Sequence, residues 1–173
     1  MDQYEGRRIN GIKTIVFAAI AIEAAAYEFT AWGLGDQVAR SMDRMEIEGK
    51  WMIGTRLICG QSFNATGSAI NGLKGLVKAR NDLMHHKSKP DDDAGESARK
   101  MMKRWTEFEN HQVPNAFKTL VLLSLELEAL PNSMHGIFPF YQMDIFNDYP
   151  RHSGVREAIG RCQEIHRKHQ RGL

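Results

Sequence analysis

Residues 14–32 read TIVFAAIAIEAAAYEFTAW, an alanine-rich apolar run broken only by Glu23 and Glu28. A membrane span needs about 20 residues with few or no charges, so this run is expected to be a helix buried in a soluble bundle. Ile12, Ile15, Val16, Ala19, Ile20, Glu23 and Tyr27 recur three or four positions apart, which predicts that they share one helix face. Gly33-Leu34-Gly35 closes the helix, and Asp36 suits the N-cap of the next.

The same periodicity continues outward from this run. Val38, Met42, Met45, Trp51, Met52, Ile53, Leu57 and Ile58 predict a second helix from Asp36 to about Cys59. A capping loop at Asn64–Ser68 precedes a third helix, expected to reach His86. Pro90 stops it, and Asp91-Asp92-Asp93 supplies an acidic start for a fourth that ends near Asn110. Pro114 then suits the first turn of a fifth, whose Leu120, Val121, Leu123, Leu125, Leu127 and Leu130 are apolar on several sides. The Pro/aromatic stretch from Pro131 to Pro150 is expected to wrap the bundle, and a basic helix from about Ser153 to Gln170 ends the chain. The best strand candidate, Ile137 to Tyr141, contains Pro139, which argues against it. The expected fold is an all-α bundle of about five to six helices, with residues 1–130 as its body and 131–173 as an extension packed on the same domain.

Composition bounds the function. The chain has 173 residues, 42% hydrophobic and 25% charged, with 15 Gly and 5 Pro, which excludes wholesale disorder and collagen-like or disulfide-scaffold chemistry. A net charge of +2 is too small for a general nucleic-acid coat, so a phosphate partner must meet a local patch. Cys59 and Cys162, far apart and without a secretory signal, read as free thiols in a reducing cytoplasm.

Chemistry concentrates in residues 73–87, LKGLVKARNDLMHHK. Arg80 lies seven after Leu73, three after Val77 and four before Met84, in register with the apolar face, where a routine surface arginine does not belong. Asn81 and His85 are four apart and share a side. Arg80 and His85 point about 140° apart on one helix, so they converge only if the helix ends between them or a second copy supplies the missing group, which favours a two-fold interface. Lys74, Lys78, Lys87 and Lys89 form a basic flank, and His86 is a second candidate histidine. Glu23, in the apolar register of the first helix, needs a partner, and Arg80 or Arg56 is the expected one. Cys162, His166 and His169 have a spacing that can present ligands on one face, but no fourth ligand accompanies them, so no metal is expected. Gly72 and Gly75 are small residues for close packing, not a phosphate loop, and no cofactor is implied.

The run from Arg80 to His85, inside an all-helical chain after two long helices, resembles the motif of the HEPN superfamily, an Arg followed by a polar residue and then a His. The similarity in helix order covers about residues 8 to 130. It implies a homodimer and a metal-independent endoribonuclease, as in many toxins or anti-phage effectors, with an antitoxin protein as a possible partner. It equally covers non-catalytic members that bind RNA, nucleotides or proteins. Under the enzymatic reading Arg80 stabilises the phosphate, His85 handles protons and is preferred over His86 because it aligns with Asn81, Asn81 orients either group, and Lys78, His86 and Lys87 contact RNA. Lys87 stands where some members carry a modifiable Tyr, so that form of control is not implied.

Overall fold

A computed structural model describes residues 3–84, 94–133, 137–139, 141 and 151–171. Helices account for nearly all of them, with no strand among the described residues: α1 (Gln3–Leu34), α2 (Asp36–Ser41), α3 (Ile47–Cys59), α4 (Ser68–Met84), α5 (Ala94–Glu107), a π turn (Phe108–Gln112), α6 (Val113–Ala129) and α7 (Ser153–Arg171). The all-α bundle expected from periodicity is the observed fold.

α6 is the central rod. It packs on α1, α4 and α7, and buries Val121, Leu122, Leu123, Leu125 and Leu127 around its circumference. That arrangement explains why its leucines show no single stripe. α1 lies alongside and buries Ile15, Ala18, Ala19, Ile22, Ala25, Ala26 and Phe29. This stripe is rotated from the one the spacing predicted: Ile12 and Ile20 lie at the surface, 36% and 53% exposed. An alanine-rich helix that is apolar all round offers several equivalent stripes, so the neighbouring helices choose which is buried. By length and composition alone α1 could cross a membrane.

The single helix expected from Asp36 to Cys59 is two. α2 ends at Ser41, the chain turns through Met42–Glu46, and α3 begins at Ile47. Both helices pack on α1. At about 100° per residue, one continuous helix would set Ala39 and Met42 roughly 150° from the Ile47–Trp51–Thr55 face, so it could not bury both. The break brings both faces inward. Asp36 is likewise the first residue of α2, not its cap; Gly35 takes the cap position with φ +90°, a left-handed conformation that favours glycine.

The predicted boundary near Asn110 is a π turn within one continuous rod. Pro114, second in α6, has no N–H to donate to the Asn110 carbonyl, and the chain absorbs the lost bond by widening one turn. The widened turn aims Phe108 and Val113, five apart, at the same spot on α1. A Cβ at Gly11 would stand 2.7 Å from Phe108 Cε1 and 2.8 Å from Val113 Cγ2.

In the segment expected to wrap the bundle, Phe138 and Tyr141 pack inward, while Pro131, Asn132 and Pro139 are exposed. Phe138 stacks on Trp51 at 5.4 Å, and Trp51 also meets Phe29 and Phe63. The Ser124 hydroxyl donates to the Pro139 carbonyl, and Gln163 of α7 donates to that of Tyr141. α7 itself docks on α6 through Ile159, Cys162 and His166. The aspartate start at 91–93 lies outside the described residues.

Candidate functional site

α4 positions the chemistry-bearing residues. Its buried side carries Ala69, Ile70, Leu73, Leu76 and Ala79, and α6 approaches so closely that a Cβ on Gly72 would lie 2.5 Å from Thr119 Oγ1. Asn115 Nδ2 donates to the Gly72 carbonyl across this contact at 2.9 Å. The close packing expected of Gly72 is therefore what α6 uses. Met84, expected on the apolar face, is 68% exposed, whereas Leu83 beside it still packs against the core.

Arg80 faces α1. Its Nη1 lies 3.5 Å from Glu23 Oε2, while Nε and Nη2 both donate to Asn81 Oδ1, at 3.2 and 3.1 Å. The guanidinium is held from two sides and its side chain remains 34% exposed. Of the two partners expected for Glu23, the structure selects Arg80. Arg56 donates instead to the Gly60 carbonyl at 2.7 Å, closing the C-terminus of α3. Glu23 sits at the rim of the buried stripe, 47% exposed, and not within it.

Lys50, absent from the expected site residues, completes the cluster around Glu23. Only 5% exposed, its Nζ lies 3.6 Å from Glu23 and 3.3 Å from Asp43. The signal was present: Lys50 falls three after Ile47 and four before Gly54, within the buried register of α3. Glu23 thus bridges two cations from two helices. Glu23 and Arg80 line a small recess of about 100 Å³ between α1, α3 and α4, with Ala19, Met45, Ile47, Leu73 and Val77 as its apolar walls.

Lys78 is not brought to Arg80. Two residues apart, they point about 200° apart around α4. Lys78 opens instead onto a larger cleft of about 790 Å³ between α4, the π turn, α6 and α7. His85, His86 and Lys87 lie outside the described residues, as does Lys89.

Several ionisable groups lie away from Arg80. Burial raises the Glu126 carboxyl to about 7, against a partial offset from the Ala69 backbone N–H that it caps at the start of α4. Burial lowers His166, with His169 adding to the effect, and His166 Nε2 has no hydrogen-bond partner among the described residues. Burial also raises the thiols of Cys59 and Cys162, both free. Cys162 and His166 turn into the bundle while His169 is exposed, and no group of three His, Cys, Asp or Glu gathers among the described residues. A comparison of the chain with family models, curated proteins and solved structures finds no match.

Proposed function

We propose that the chain acts as a homodimeric, metal-independent endoribonuclease of the HEPN type, with Arg80, Asn81 and His85 at a cleft shared between two copies. The observation that carries this reading is the preset guanidinium: Asn81 and Glu23 fix Arg80 near the C-terminal end of α4 while leaving a third of it open to solvent. A planar cation held in place stabilises a charged phosphorane at low reorganisation cost. In the reaction the RNA 2′-hydroxyl loses its proton and attacks the adjacent phosphorus, and the 5′-oxygen leaves with a proton. A histidine that titrates near neutrality can serve either transfer, an effect of about a hundred to ten thousand fold.

Support for the dimer comes from α1. Ile20, one turn before Glu23, and Ile12, Phe17 and Ile9 leave an uncovered apolar strip next to the Arg80 pair. A second copy laid on this strip would bring two Arg80 side chains to one cleft. The ribonuclease would act in the cytoplasm, as a toxin restrained by an antitoxin or as a defence effector.

The test is cleavage of RNA in EDTA by the purified chain and by Arg80→Ala and His85→Ala. Loss of cleavage in both variants supports the enzyme; equal behaviour of all three proteins removes it. The Glu23 pairing favours one other reading, in which Arg80 is an anchor and the chain a non-catalytic module for RNA, a nucleotide or a protein. RNA binding without cleavage would select it.

A further inference from the structure

We propose that the cleft between α4, the π turn, α6 and α7 is a second site, one that binds a phosphomonoester of about mononucleotide size. The site is independent of the ribonuclease reading, since it opens on the flank of α4 turned away from Arg80. At about 790 Å³ the cleft falls within the range of small-molecule sites.

Three cations from three helices line it: Lys78 of α4, Lys118 of α6 and Arg161 of α7. Lys78 and Lys118 form no ion pair or hydrogen bond with the described residues, while the one pair of Arg161, to Glu157 at 3.8 Å, is solvent-exposed. Such surface pairs are weak and readily exchanged. Two acids also line the cleft: Asp82, one helical turn beyond Lys78 on α4, and Glu107, both set apart from Lys118. The contacts of Gly72 with Thr119 and of Gly75 with Asn115 show that α4 and α6 run antiparallel. Asp82 and Glu107 therefore lie toward the end of α4 and the start of the π turn, where Glu107 already faces His111 at 3.9 Å. Lys118 lies at the opposite end, beside α7. Lys118 and Arg161, both close to Cys162, make the cationic end of the cleft, set against half-buried Phe117 and Ile165.

That combination matches a ligand with a doubly charged head and an apolar body. Lysines supply point charges, and the guanidinium fork suits phosphate oxygens. The π turn builds the opposite wall. By widening the rod before Pro114 it leaves Asn110, His111 and Gln112 as polar groups facing the cleft, a use of π turns common at functional sites.

The experiment is calorimetric titration of the full chain with AMP, with UMP and with inorganic phosphate at low salt. Saturable one-to-one binding of a nucleotide is expected, about tenfold weaker in Lys118→Ala and in Arg161→Ala, as loss of one charge-assisted contact implies. Both side chains are exposed, so unchanged circular dichroism and thermal midpoints show that the variants fold. Arg80→Ala should bind AMP as the wild type does, even if it abolishes RNA cleavage, which separates this site from the proposed catalytic one. The proposal is overturned if neither nucleotide binds, if inorganic phosphate binds as tightly as AMP, or if the Lys118 and Arg161 variants retain full affinity.

Discussion

Glu23 Oε2 lies 3.5 Å from Arg80 Nη1, tying the middle of α1 to the last turns of α4. The other oxygen of the same carboxylate lies 3.6 Å from Lys50 Nζ, a cation with almost no contact with water. The pair with Arg80 is half open to solvent and contributes little alone; the cost of removing Glu23 falls on Lys50, which keeps only Asp43. Glu23→Gln is predicted to lower stability by about 1 kcal/mol, read as a shift in the urea midpoint. An unchanged midpoint would mean that Asp43 alone suffices for Lys50.

Gly72 marks the closest approach of α4 to α6. Gly72→Ala places a methyl 2.5 Å from the buried Thr119 hydroxyl, and should cost about 1–3 kcal/mol despite the better helix propensity of alanine. Removing the obstacle with Thr119→Ala in the same chain should recover part of that loss. Additive effects of the two substitutions in a double-mutant cycle would show that the contact does not limit the packing.

Acid should loosen α7. The folded state holds His166 neutral, with its pKa lowered by burial. Unfolding restores the ordinary value near 6.5, so below it the unfolded chain binds the extra proton. Stability from this residue is complete above about 6.5 and falls as the pH drops toward the lower folded value. In His166→Leu the slope of stability against pH between about 6.5 and 5 should flatten, as measured by urea titrations at each pH.

Glu126 works in the opposite direction. Its folded pKa of about 7 exceeds the unfolded value of 4.5, so between them the folded chain binds the additional proton. Its contribution is complete below 4.5 and is lost as the pH rises through about 7. Glu126→Gln keeps an acceptor for the Ala69 N–H without the charge, and should stabilise the protein more at pH 8 than at pH 5. Equal effects at the two pH values would show that the carboxylate is already ionised at both.

Local periodicity, together with Gly and Pro, sets the all-helical class, the end of α1, the positions of α4 and α7 and the breadth of the apolar surface on α6. The same spacing puts Arg80 in an apolar register and points to it as a partner of Glu23, but it leaves out Lys50, the second cation that Glu23 meets. Which stripe of α1 is buried is settled by packing alone. An alanine-rich helix presents similar surface in several directions, so packing partners make that choice. The same holds for the turn at Met42–Glu46, which exists because two apolar faces must reach α1 from one stretch of chain. Lys50 and the cleft with Lys78, Lys118 and Arg161 were hidden for a related reason. Residues far apart in sequence meet there, and spacing along one helix records nothing of the other two.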